Sequence, residues 1–265
     1  MFELFMMSLR EYWGEMSDGT ADVSSSIAEL QEVLSQHYEK EVTWDEPEEV
    51  PVTEEEVDVD IIDDRQISAL HVVAAKVVVD GNLDGLEMDP EEPWDSDVLD
   101  RLAEKADDDE ELDDRFCHLL AIGNSSECIC LPVDLPFVAQ ININDDEAED
   151  KEECCGCCGD HACDCDDDCC CCCEEDEGID ISSLVALRRE LDDIGKVLNI
   201  DPDLSIDDCE KIAFDEEDDL RYAKIGWYLL STRVDDALKA KLPLIIRFVD
   251  DDEYDDILDA EEDSE

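Results

Sequence analysis

Eleven of the chain's 15 cysteines crowd into residues 154–173, within the run ECCGCCGDHACDCDDDCCCCCEE. Thiolates are ligands for soft cations, so zinc or copper(I) is the cofactor this composition points to. The spacing supplies Cys154-x-x-Cys157, Cys155-x-x-Cys158 and Cys163-x-Cys165, with His161 as a further donor and Cys169, Cys170, Cys171, Cys172 and Cys173 completing the set. Five consecutive cysteines cannot all face one ion, and paired C-x-x-C motifs at zinc-finger separation are missing. The surrounding aspartates raise thiol pKa values by like-charge repulsion, which weakens metal binding at neutral pH. The competing reading is an Asp/Cys low-complexity expansion with no ligand geometry. Disulfides rank third, because adjacent cysteines rarely meet bridging geometry.

Conventional catalytic groups are few. The chain holds four histidines, His37, His71, His118 and His161, and no glycine-rich phosphate loop, HExxH or GxSxG. His71 lies in an apolar stretch and reads as a satisfied core residue. Cys117 and His118 are neighbours, and on a strand they would point to opposite faces, so they make no nucleophile–base pair by themselves. Carboxylates are so abundant that finding two together says nothing about acid–base work. The expectation is a protein that is not an enzyme.

That abundance is the dominant fact: 82 Asp and Glu against 18 Lys and Arg give a formal charge of −64 in 265 residues. Direct binding to nucleic acid or to an anionic membrane face is opposed by the shared sign of charge. The acidic runs, at 53–64, 107–114, 145–153, 164–168, 174–177, 215–219 and 250–264, are spread along the whole chain. Such a field can serve solubility or a saline cytoplasm. It can instead meet a cationic protein partner, including by mimicry of nucleic acid, where spaced carboxylates take the places of phosphates and block a nuclease or repressor. No EF-hand pattern is present.

Apolar periodicity divides the chain into residues 1–144 and 179–249, two parts of one domain, with a low-complexity acidic Cys-rich insertion at 145–178 and an acidic tail at 250–265. Residues 27–38 carry Ile27, Leu30, Leu34 and Tyr38 at helical spacing behind a serine N-cap. Residues 41–64 read as an extended solvated connection. Residues 65–79 form a helix or a buried strand, with a turn at Gly81, Asn82 and Gly85. A short helix fits 98–106, capped by Asp95, Ser96 or Asp97. Between 116 and 144 short apolar runs suggest strands, with Ile141 and Ile143 alternating against Asn142 and Asn144. Ser182 and Ser183 lead into a helix presenting Leu184, Leu187, Leu191, Ile194 and Leu198 on one face. A helix over about 217–240 is weakened by Gly226, and 244–249 closes as a strand. The expected fold is α+β: several helices with a small antiparallel sheet, interrupted by a disordered insertion. No run approaches the roughly 20 apolar residues of a membrane span. The opening MFELFMMSLREYW lacks the features of a secretory signal, which places the protein in a reducing cytosol.

The segments Phe116-Cys117-His118-Leu119-Leu120, Leu131-Pro132-Val133-Asp134-Leu135-Pro136 and Ser182-Ser183-Leu184-Val185-Ala186-Leu187 with Glu190-Leu191 resemble, in this order, a group of uncharacterised bacterial cytosolic α+β proteins. Some small acidic proteins of this kind are similar to immunity proteins of toxin systems. The resemblance implies action by binding, here to a cationic toxin, and residues 145–178 depart from it. The cysteine density resembles metallothionein, which implies clustered metal ions, although aspartates stand here where that family carries lysines.

Overall fold

The computed structural model describes residues 1–16, 23–47, 60–89, 92–94, 96–107, 114–141, 178–201, 204–215 and 218–249. The twelve proposed ligands, Cys154, Cys155, Cys157, Cys158, His161, Cys163, Cys165 and Cys169 through Cys173, all lie outside the described residues, as do Asn142, Ile143 and Asn144.

Six strands make one sheet: β1 (Phe2–Met6), β2 (Asp60–Ile62), β3 (Glu127–Leu131), β4 (Ala139–Ile141), β5 (Ile179–Ser183) and β6 (Leu244–Phe248), in the spatial order β2-β1-β6-β3-β5-β4. The α+β class holds, and the sheet is larger than the sequence pattern marks. It is also mixed, because β3 and β5 run parallel while the other pairs are antiparallel. β1 is fixed by its pairing with β2 and β6, both far away in the sequence, which FELFM by itself does not announce. β4 and β5 pair with Ile141 opposite Ile179, so the two ends of the intervening insertion leave the fold side by side. An insertion at such a place leaves the ladder intact.

Strand alternation sends side chains to two separate cores. On one face Leu4, Cys128, Cys130, Leu244 and Ile246 pack under α3 (Asp64–Asp80), α6 (Leu184–Val197) and α8 (Arg221–Ala240). On the other, Ile129, Leu131, Ile181 and Ile245 pack with Leu9 of α1 (Leu9–Met16) and with Leu30 and Leu34 of α2 (Val23–His37). Here the reading of 41–64 as solvated is corrected: Val42 and Trp44 are buried in this second core. The helix α2 also begins at Val23, so Ser24, Ser25 and Ser26 sit inside its first turn and do not precede it.

Residues 64–80 are helical because Asp63 caps them, its side chain accepting from the Arg65 N–H, and Gly81 ends them in the left-handed region at φ 79°. The helix α4 (Asp97–Asp107) follows, and its Val98 N–H donates to Ser96 Oγ. Ser183 caps α6 by accepting from the Ala186 N–H.

Gly226, expected to weaken α8, is what lets α8 approach α3. A Cβ at this position would lie 2.7 Å from the Gln66 carbonyl oxygen. Gly226→Ala therefore costs about 1–3 kcal/mol by overpacking, despite the higher helix propensity of alanine. Urea denaturation of the variant checks this, and an unchanged midpoint would contradict it.

Candidate functional site

The strongest concentration of chemical groups lies where the resemblance segments meet. Residues 116–120, expected as part of a β region, form instead a 3₁₀ turn (Asp114–Phe116) running into the single helical turn α5 (Cys117–Leu120). The turn is imposed from outside. Glu190, projecting from α6, accepts the backbone N–H groups of His118 at 3.2 Å and Leu119 at 2.7 Å, donors that the start of a helix leaves unpaired. Cys117, His118 and Glu190 thus come together, with ligand atoms all within 4.8 Å of one another. Separation of Cys117 and His118 on a strand is overturned by this geometry.

The cluster opens on a cleft of about 440 Å³, whose rim carries Lys40, Arg115, Asp134 and Arg189. Its thiol and its imidazole are both held neutral at pH 7. Burial, with the negative charges of Glu190 and Asp114, pushes the Cys117 thiol up to about 11. Burial lowers His118 to about 4. Its Nδ1 accepts from the Ser183 N–H at 3.3 Å and lies 3.0 Å from Ser182 Oγ, which leaves the Nε2–H to donate to the Leu135 carbonyl at 3.2 Å. Neither ring nitrogen is available to a thiol or a cation without breaking these bonds. The three groups lock α5 to α6 and to the 131–136 segment. His71 behaves as expected of a core histidine: Nε2 is 3.0 Å from the Leu119 carbonyl, and burial lowers its pKa to about 4.

Burial raises Glu190 to about 7 against the two N–H bonds that favour its charge. A carboxyl whose folded pKa lies above its unfolded value contributes stability below the unfolded pKa, and this is lost as pH rises through the folded one. The window is therefore about pH 4.5 to 7. Glu190→Gln does not titrate there. The stability of this variant relative to the parent rises by about 2–3 kcal/mol between pH 5 and pH 8. Chemical denaturation of both proteins at the two pH values measures the difference, and a constant difference would contradict it.

With this cluster occupied in holding the fold, the surface carries what remains. Exposed carboxylates stand on the outer faces of several elements: Glu29 and Glu32 on α2, Glu39, Glu41 and Asp45 after it, Asp97, Asp100 and Glu104 on α4, Asp192 and Asp193 on α6. Several of the few cations are tied to carboxylates of the same chain. Arg188 bridges Asp192 and Asp235, each at 2.6 Å, Arg189 pairs with Asp134, and Lys196 pairs with Asp193 at 2.7 Å. Pairs this exposed neutralise little and stabilise by at most about 1 kcal/mol each. The sign of the field is left unchanged. No helix among the described residues is long and apolar enough to cross a membrane.

A solvent-facing excess of carboxylate on a rigid α+β frame defines an acidic binding protein. A family model described as "Putative DNA-mimic protein" matches residues 3–246, and the chain belongs to that family. No curated protein and no solved structure matches it.

Proposed function

We propose that this protein binds, in place of DNA, to the DNA-binding surface of a cationic protein and thereby blocks it. One observation carries the reading: the 64 carboxylates in excess over basic groups cannot be neutralised within the chain, and among the described residues carboxylates such as Glu29, Glu32, Asp100, Glu104, Asp192 and Asp193 stand exposed on helices. A DNA-binding surface is built to neutralise a dense anionic array, and its lysines and arginines meet carboxylates as they meet phosphates. Membership of the DNA-mimic family supports the same reading. A nuclease blocked in this way would be a neutralised toxin, the immunity-type role that the bacterial resemblance implies.

The test is elution. Proteins retained on the immobilised chain at about 0.1 M salt are challenged with a 20-base-pair duplex or with polyaspartate of equal total charge. Preferential release by the duplex is expected, because the retained surface is shaped for DNA. Equal release by both polyanions would mean that only charge is being read.

A further inference from the structure

The described residue with the most exposed large apolar side chain is Phe214, at 85% exposure, and the next is Ile206, at 64%. Both belong to one short stretch. Ser205 Oγ accepts from the Asp208 N–H and starts α7 (Ile206–Ala213), Cys209 is buried beneath, and Phe214 follows the last helical residue. A turn held by Asp215 N–H to Ile212 O at 3.0 Å carries the chain towards α8. Between 201 and 219 the sequence holds ten carboxylates and one lysine, Lys211, which is itself bridged to Asp208. Asp207, Asp215 and Asp219 are exposed.

We infer that the exposed face of α7, with Ile206 and Phe214 as apolar anchors inside a carboxylate rim, is the surface that docks on the DNA-binding face of the cationic partner. The inference rests on the DNA-mimic reading and deepens it by locating the contact. Single exposed apolar residues need no explanation, but two at the opposite ends of one eight-residue helix, with the exposed carboxylates Asp207, Asp215 and Asp219 beside them, supply the apolar contacts and the polar rim of an interface. Charge complementarity selects the occupant: only a positively charged surface can approach this rim without repulsion. DNA-reading surfaces also carry apolar groups that meet thymine methyls between phosphate contacts, and Phe214 and Ile206 supply apolar contact in that position. The rim steers the encounter and makes it salt-dependent, while the anchors slow dissociation.

The experiment uses the full chain. The probe is a protein from a DNA-cellulose-retained fraction of a lysate of the cells that express this chain, captured on the immobilised protein, released by a 20-base-pair duplex, then purified. Its affinity is measured for the parent, for the double variant Ile206→Ala with Phe214→Ala, and for Phe137→Ala. Phe137 is a second exposed aromatic, at 45% exposure, on a different surface beside Tyr38. The double variant is expected to keep the parent's melting temperature and to bind 10- to 100-fold more weakly, mainly through faster dissociation, with Phe137→Ala within threefold of the parent. Binding by the double variant within threefold of the parent, while the duplex still displaces the probe, would overturn the inference and leave the DNA-mimic reading standing. So would a loss confined to Phe137→Ala. If no captured protein is released by the duplex, the reading itself fails.

Discussion

Replacing Arg247 with methionine is expected to cost about 3–5 kcal/mol, because it strips two buried carboxylates of their shared cation. The register explains why. Arg247 on β6 stands opposite Glu3 on β1 and Glu127 on β3, so one cation sits between two carboxylates across the three central strands. Its Nη2 is 2.7 Å from Glu3 Oε2, and the Glu3 side chain is only 4% exposed. Glu127 is also buried. Tyr12 donates its hydroxyl to it, and burial raises its pKa. Without the guanidinium, two carboxylates remain in the sheet interior with no compensating charge. Arg247 itself keeps 39% of its side chain exposed, and a charged row of this kind is weak evidence for net stability, since a well-packed apolar replacement can equal it. The double variant Arg247→Met with Glu3→Leu should accordingly recover much of the loss. Urea denaturation of parent, single and double variants gives the numbers. A single variant within 1 kcal/mol of the parent would show that the row carries no such weight.

Raising sodium chloride from about 0.1 M to about 1 M should stabilise the fold by several kcal/mol, on the order of 10 °C in melting temperature. The compact state holds 64 net negative charges that the unfolded chain can separate, so repulsion acts mainly against folding. Shortening the Debye length from about 10 Å to about 3 Å removes most of that difference. The local ion pairs weaken as well, but they are exposed and small by comparison. Differential scanning calorimetry across this range checks the prediction. A flat or falling melting temperature would mean that the charge is balanced inside the fold in a way its 18 cations do not allow.

Elements with an uninterrupted local pattern were legible in the sequence. The stripe from Leu184 to Leu198, the capping serine before it and the closing strand at 244–248 all stand where periodicity puts them. What long-range contact decides was not legible. Residues 117–120 are helical because Glu190, some 70 positions later, caps them, and nothing within CHLL announces that. Val42 and Trp44 are buried because a core lies next to an acidic connection, although two large apolar residues in that connection were a signal. Gly226 reads as a defect until the Gln66 carbonyl is seen against it. Arg247 was visible as a lone cation inside an apolar strand, and only the register supplies its two partners. At the surface, the sign of the charge was legible from composition, and mimicry of nucleic acid was one of the readings that composition allowed. The exposure of Ile206 and Phe214 was not legible, since nothing in the local pattern around them distinguishes an exposed apolar residue from a buried one.

The most direct measurement concerns exclusivity. A DNA-binding protein captured by this chain is loaded with a fluorescent 20-base-pair duplex, and the chain is titrated in while anisotropy and complex mass are followed together. If carboxylates stand in for phosphates, the duplex is released in proportion to the chain bound, and no complex contains both. A stable ternary complex of partner, duplex and this protein would contradict the claim, because the acidic surface would then be seated somewhere other than the site that DNA occupies.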